Sequence, residues 1–291
     1  MSTGEERVTV MEAVKLAQGY LEERGIDSAR LNAEHLLAKA LECSRLDLYL
    51  RFDERLEDKA LGRYREDLKQ RAGHIPLQYI LGEFEFCSLR FRIERGIFIP
   101  RPETELLVER VEALLGAARA VRFIEFGVGS GVIAGALAAR NPGWNGVAFD
   151  VSDQAVHLAE RNINELGLSA QVCAFVGDGF DAVRTGVTFD LLVSNPPYIP
   201  TGVVPTLQDE VAKFEDHTAL DGGEDGTAFY PLLAGAGVRL VRPGGLIALE
   251  IGDGQGAAVE EILRGHGYER VTVERDYNGM ERIVTAQRPS C

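Results

Sequence analysis

Two stretches of this 291-residue chain carry side chains suited to chemistry. The first is Ser194-Asn195-Pro196-Pro197-Tyr198-Ile199-Pro200, which follows the apolar run Phe189-Asp190-Leu191-Leu192-Val193. Proline cannot donate to a sheet ladder and drives the residue before it toward extended backbone. The segment therefore reads as a stiff exit from a buried strand, fit to hold a small group in one orientation. The second stretch is Glu125-Phe126-Gly127-Val128-Gly129-Ser130-Gly131, which leaves a strand-like run and enters a helical one. Its alternating glycines let the backbone turn tightly and approach a ligand closely. Asp150 ends the next strand-like run, about twenty residues on, where a carboxylate can accept hydrogen bonds from both hydroxyls of a ribose. Asp178 follows the third run and can read an adenine amino group or cap a turn. Ligands of open α/β sheets bind at the carboxyl ends of strands. Glycines, a ribose acid, an adenine contact and a rigid amide-bearing loop thus converge at one edge. The glycine spacing is not the dinucleotide fingerprint, and no G-x-x-x-x-G-K-[ST] phosphate loop accompanies it. This favours an adenosyl ligand without phosphates, such as S-adenosylmethionine.

The elements that must position these residues are legible as a pattern. From residue 121 onward, strand-like runs at 121–126, 146–150, 170–176, 189–195 and 245–251 alternate with helical ones. Such alternation implies a mostly parallel sheet covered on both faces. Two late runs, "RVTVERD" and "RIVTAQR", read as an antiparallel pair. Residues 8–73 read instead as a helical bundle. Thr9 and Glu12 form a capping box, Asp27-Ser28 can cap a second helix, and a third ends at Gly73. Alternation over residues 84–99 reads as a β-hairpin connector. Pro102, Glu103 and Glu105 then open another helix. The expected division is 1–73 helical domain, 74–100 linker with hairpin, and 101–291 catalytic domain. Trp144 reads as a loop residue on the sheet edge.

Asn195-Pro196-Pro197-Tyr198 beside this adenosine-type site resembles the amino-methyltransferases, which methylate planar nitrogen. An amide nitrogen is a poor nucleophile because its lone pair is delocalised. Two acceptors gripping its N–H hydrogens would aim that lone pair and stabilise the charge developing on nitrogen. The side-chain oxygen of Asn195 and the carbonyl of Pro196 are the candidates, with Tyr198 packing flat against the amide. Positioning carries much of such catalysis, so no general base is required before transfer. The whole chain resembles more narrowly the HemK-type family, which methylates N5 of a release-factor glutamine. The matching stretches are "PLQYILGEFEF", "FIPRPETELLVE", "EFGVGSG", "VSNPPYIP", "ALDGGEDGTAFY", "RPGGLIALEIGDGQ" and "NGMERIV". "PRPETE" favours the release-factor branch over the related ribosomal-protein glutamine methyltransferases.

The resemblance implies a seven-stranded, Rossmann-like, class I S-adenosylmethionine-dependent methyltransferase sheet with an N-terminal helical bundle and a β-hairpin linker. It implies that Glu125, Gly127, Val128, Gly129, Ser130, Gly131, Asp150, Asp178, Gly179, Phe180 and Asn195 bind S-adenosylmethionine, leaving S-adenosylhomocysteine as product. It implies that Asn195, Pro196, Pro197 and Tyr198 hold the glutamine of a Gly-Gly-Gln motif, with the bundle docking the release factor. Three positions depart from the family pattern. Glu125 stands where the family usually has aspartate. Gly179 stands where a large side chain often covers the adenine, a role Phe180 could assume. Asp216 stands where the family often has proline.

Bulk properties narrow the alternatives. A net charge of −14 argues against an obligate phosphate-backbone binder. That weakens a nucleic-acid exocyclic-amine methyltransferase, whose loop would be the same. Intact Asn195, Tyr198 and glycines weigh against a non-catalytic adenosine-binding module. Cys43, Cys87, Cys173 and Cys291 are scattered without metal-ligand spacing, which suits a reducing compartment and no bound metal. Neither a signal peptide nor a run of transmembrane length is visible. A cytoplasmic monomer with no membrane or nucleic-acid partner is the expectation.

Overall fold

The computed structural model describes residues 8–116, 120–183 and 186–290. Its contacts divide it into two compact units. The first ends at Glu83 and also takes in Asp209–Phe214; the second holds Phe84–Gln208 and the chain from Glu215 on. The hairpin thus falls almost wholly in the second unit. Cys291 lies outside the described residues.

Among the described residues, the leading stretch of the first unit contributes five helices, α1 (Val10–Glu22), α2 (Ala29–Leu41), α3 (Arg45–Leu50), α4 (Asp58–Ala72) and α5 (Leu77–Leu81), and Asp209–Phe214 contributes a sixth. The expected capping box opens α1, with Glu12 N donating to Thr9 Oγ1 at 3.3 Å and Thr9 N to Glu12 Oε2 at 2.9 Å. The start of α2 differs from expectation. Ser28 is left-handed (φ 49°) and its side chain caps nothing. Asn32 Nδ2 instead ties down the carbonyls of Asp27 and Ser28 at 3.0 and 3.1 Å. Helix α3 escapes the sequence pattern because it spans only six residues, though Ser44 and Asp47 give it a capping box. Val14, Leu21, Leu36, Leu37, Tyr64 and Leu68 meet in one core. Arg71 is buried, and its guanidinium donates to Asn32 Oδ1 at 2.7 Å, to the Ile75 carbonyl at 3.1 Å, and to Glu210.

The second unit opens with a hairpin of β1 (Glu83–Phe86) and β2 (Leu89–Arg92). Next come α6 (Thr104–Leu115), β3 (Val121–Phe126), α7 (Val132–Arg140), β4 (Trp144–Asp150), α8 (Asp153–Glu165), β5 (Val172–Val176) and β6 (Phe189–Ser194). After α9 (Asp209–Phe214), which belongs to the first unit, follow α10 (Phe229–Leu240), β7 (Val241–Glu250), α11 (Gly256–Gly265), β8 (Glu269–Arg275) and β9 (Glu281–Gln287). Seven strands form one sheet in the order β5-β4-β3-β6-β7-β9-β8, parallel except for β9, which runs antiparallel to both neighbours. This is the seven-stranded sheet that the sequence led us to expect.

The central strands are apolar runs because both faces are covered. Phe123, Leu191 and Ala248 pack on one side with α7, and Ile124, Leu192 and Ile247 on the other with α10. Helix α7 is buried nearly all round, which its sequence Val-Ile-Ala-Gly-Ala-Leu-Ala-Ala permits. Trp144 is not a loop residue: it is the first residue of β4, fully buried opposite Val121. Its ring joins the apolar core that α7 covers, and burying so large an apolar surface favours the strand position. Strand order reverses beside β3, the switch point at which such sheets bind ligands. No helix among the described residues is long and apolar enough to cross a membrane.

Candidate active site

At that switch point the second unit holds a cleft of about 400 Å³. Gly127 and Gly129 from the loop after β3, Asp150 at the end of β4, and Asp178 and Gly179 after β5 line it. The loop is pinned from both sides. The amides of Gly127 and Val128 donate to the Phe149 carbonyl at 2.9 and 3.0 Å. Asp150 Oδ2 accepts the Gly129 amide at 3.0 Å, and Oδ1 accepts the Ser152 amide at 3.0 Å. Gly129 sits at φ 51°, a conformation that favours glycine. Each carboxylate oxygen of Asp150 keeps a further lone pair for a ligand hydroxyl. Asp178 is exposed, and its side chain caps no helix.

Several expected residues lie one layer behind the cleft. Val128 is packed into the core, and Ser130 and Gly131 are buried at the entrance to α7. Glu125 is fully buried beneath the loop, where Oε2 accepts the Ala134 amide at 3.0 Å. Burial pushes its carboxyl well above the usual range. Its longer arm reaches the first turn of α7 rather than the cleft. Phe180 is buried against Phe126, with ring centroids 5.4 Å apart and planes inclined by 20°. It therefore supports the aromatic wall made by Phe126, Phe149 and Phe229 rather than forming it.

Asn195, Pro196, Pro197 and Tyr198 line the same cleft at the end of β6. Ser194 Oγ donates to the Phe126 carbonyl at 2.8 Å and locks the exit of β6 to β3. Asn195 Nδ2 donates to Thr104 Oγ1 at 3.2 Å. Among the described residues, Asn195 Oδ1 and the Pro196 carbonyl take no hydrogen bond from the fold. Two acceptors on consecutive residues thus remain without a partner from the fold among the described residues.

The rest of the loop is held by its backbone. Ile199 N donates to the Leu220 carbonyl at 3.0 Å, and Gly222 N to the Ile199 carbonyl at 2.8 Å. Gln255 Nε2 donates to the carbonyls of Tyr198 at 2.9 Å and Gly226 at 3.2 Å. A Cβ on Gly226 would stand 2.3 Å from the Tyr198 carbonyl oxygen, so only glycine fits. Arg101, the only basic residue lining the cleft among the described residues, pairs with buried Glu215 at 2.7 Å. Asp216 caps the turn His217–Ala219 by accepting the Thr218 amide at 2.9 Å, so it starts a turn as proline would. No cluster of potential metal ligands occurs among the described residues.

Residues 12–82 match the PrmC N-terminal domain family, and residues 95–211 the methyltransferase small domain. The release factor glutamine methyltransferase of Geobacter sulfurreducens is 41% identical over 95% of this chain and 95% of its own. The chain belongs to the release factor glutamine methyltransferase family. Among solved structures, the hMettl16 catalytic domain in complex with MAT2A 3'UTR hairpin 6 superposes with a TM-score of 0.58 at 19% identity, covering 78% of this chain and 82% of that one. A T. thermophilus 16S rRNA methyltransferase in complex with AdoMet and guanosine gives 0.52 at 18%, covering 71% and 49%. At such identities these two structures establish the fold alone.

For a release factor glutamine methyltransferase, the sequence had marked the Asn-Pro-Pro-Tyr loop, the glycines and the cleft acids Asp150 and Asp178. It had not marked Thr104, Glu250, Gln255 or the Arg101–Glu215 pair. Glu250 carried a signal: an acid in the apolar strand Leu246-Ile247-Ala248-Leu249 is out of place unless it serves something.

Proposed function

We propose that this protein transfers a methyl group from S-adenosylmethionine to the side-chain amide nitrogen, N5, of the glutamine in the Gly-Gly-Gln motif of class 1 peptide-chain release factors. The observation that carries the reading is the pair of unoccupied acceptors, Asn195 Oδ1 and the Pro196 carbonyl, in the cleft that also holds Asp150. A primary amide has two N–H hydrogens, and this pair can take both.

The cleft fits the cofactor. It offers a wall of phenylalanines, a carboxylate with free lone pairs for ribose hydroxyls, and a second acid in Asp178. Its one basic side chain is already neutralised by Glu215. Gly127, Gly129, Asp150, Asp178 and Gly179 would hold the cofactor, which supplies an electrophilic methyl group when bound. Asn195 and Pro196 orient the amide, Tyr198 packs on its face, and the acceptors stabilise the positive charge that grows on nitrogen. The proton leaves after transfer, so none of these side chains has to act as a base. The N-terminal unit would dock the release factor, and the enzyme would work in the cytoplasm.

Mass spectrometry after incubation with labelled S-adenosylmethionine tests the reading. Label on that glutamine alone supports it. Label retained when the glutamine is replaced, or found on duplex DNA instead, overturns it.

A further inference from the structure

One side-chain carboxamide braces the Asn-Pro-Pro-Tyr loop from behind, and its whole hydrogen-bonding capacity is engaged there. Gln255 Nε2 donates to the Tyr198 carbonyl at 2.9 Å and to the Gly226 carbonyl at 3.2 Å. Gln255 Oε1 accepts the Gly252 amide at 2.8 Å and the Tyr230 hydroxyl at 3.1 Å. A primary carboxamide has two hydrogens on nitrogen and two lone pairs on oxygen. Every one of them has a partner.

The orientation of this group follows from its partners. A backbone carbonyl only accepts, and a backbone amide only donates. The NH2 edge must therefore face Tyr198 and Gly226, and the oxygen must face Gly252. The side chain is also fixed from its own end. Gln255 N donates to the Gly252 carbonyl at 3.2 Å while Oε1 takes the Gly252 amide. Tyr230, on α10, is fully buried, and its hydroxyl also reaches the Glu250 carbonyl at 3.3 Å. The oxygen of Gln255 is thus anchored to the exit of β7 and to α10, and its NH2 group is aimed at a loop 57 residues earlier in the chain.

Little space is left around it. A Cβ on Gly226 would lie 2.6 Å from Gln255 Nε2, and one on Gly252 would lie 3.0 Å from Oε1 and 3.3 Å from Tyr198 Cδ2. Tyr198 is held at its far end as well, where Oη donates to Glu250 Oε1 at 3.4 Å. Its carbonyl and its hydroxyl are therefore both tied to the segment that runs from the end of β7 to the start of α11.

We propose that Gln255 is a positioning residue for methyl transfer: it fixes the Tyr198 peptide from behind, and through it the Tyr198 ring and the Pro196 carbonyl that meet the substrate amide. Its consequence for catalysis rests on the glutamine-methylating reading, and its content on the four hydrogen bonds. The last residue of "RPGGLIALEIGDGQ" thereby has a task. Gln255 lies outside the lining of the cleft, so it acts only through the loop it holds.

The test compares full-length wild type with Gln255→Met and Gln255→Glu. Both substitutions keep the length of the side chain. Methionine has no hydrogen to give the two carbonyls, and an ionised carboxylate turns a second acceptor on them. One readout is the single-turnover rate on a release factor at saturating factor and S-adenosylmethionine. That rate should fall by about tenfold or more in Gln255→Met and further in Gln255→Glu, because small misplacements of positioning groups are costly. Affinities for cofactor and release factor should be unchanged. A side chain that merely fills space would tolerate both substitutions. A wild-type rate in either variant, or a loss seen in the affinities and not in the rate, overturns the proposal. Gln255→Met brings in no charge, so it decides alone where Gln255→Glu does not fold. The other readout is hydrogen exchange of side-chain amides in wild type carrying isotope-labelled glutamine. The Gln255 NH2 should exchange roughly tenfold or more slower than that of exposed Gln208; equal exchange also overturns the proposal. This readout needs no turnover. A wild type that methylates no release factor would therefore sink the functional reading while the Gln255 brace is still judged.

Discussion

Asp150 and Gly129 are joined by a hydrogen bond of 3.0 Å from the glycine amide to the carboxylate. The ribose-type acid of the second strand thus also shapes the glycine loop of the first. Asp150→Ala should weaken S-adenosylmethionine binding twice over, by losing a ligand contact and by loosening the loop. A charged hydrogen bond is worth about 1.5–3 kcal/mol, so calorimetry should find an affinity lower by roughly tenfold to a hundredfold. Wild-type affinity would remove Asp150 from the cofactor site.

Asn195→Ala separates binding from turnover. The side chain bonds Thr104 and lines the cleft, while the glycine loop has its own supports in Phe149 and Asp150. Cofactor affinity should be preserved. The single-turnover rate should fall by about 100-fold or more, the usual cost of losing one preorganised partner of the transition-state charge. An undiminished rate would exclude the amide clamp.

Gly226→Ala tests the bracing of the loop from behind. The new Cβ would overlap the Tyr198 carbonyl at a φ of 78°. Backbone, not a flexible side chain, has to move. The variant should lose about 1–3 kcal/mol of stability in thermal unfolding, and its rate should fall because Tyr198 is displaced. Unchanged stability and rate would mean that the segment yields at no cost.

Glu250 makes stability depend on pH. A carboxyl whose folded value is raised holds its proton in the native state while the unfolded chain has lost it. Its contribution is therefore largest below the unfolded value and is lost as pH rises to about 7, a change of order 3 kcal/mol. Buried Glu125 adds in the same direction. Denaturant melts of wild type and Glu250→Gln between pH 5 and pH 8 (an interval of about 2.3RT per unit per proton) would compare the two slopes; parallel curves would refute this assignment.

What could be read beforehand was local chemistry, and what could not was its support. Three glycines in alternation, an acid at a strand end and two prolines after an asparagine each impose their conformation within a few residues. A mostly parallel sheet followed from the alternation of elements, whereas the order of its strands came only with the fold. By contrast, Thr104 and Asn195 stand 91 residues apart, and Tyr198 and Glu250 52 apart, so no window of sequence holds either pair. Glu125 kept the charge of an aspartate, but only the fold shows its longer arm ending on the Ala134 amide. Phe180 is next to Gly179 in the chain, yet its ring supports the wall from within, because the apolar cluster offers more contact than the cleft. Trp144 lay in Asn-Pro-Gly-Trp-Asn-Gly, whose turn residues concealed the start of a strand.

The helix Asp209–Phe214 gives the chain an uncommon connectivity. It belongs to the unit that begins at the N-terminus, and Glu210 bonds buried Arg71 there. The polypeptide therefore crosses between units three times, after Glu83, after Gln208 and after Phe214. A helical unit joined by one linker could be trimmed, exchanged or grafted with a single cut. This one cannot. Removing the leading residues would strip α9 of its neighbours and leave Arg71's partner in the same covalent stretch as the Asn-Pro-Pro-Tyr loop. The two units are bound to be inherited, and to be engineered, as one piece.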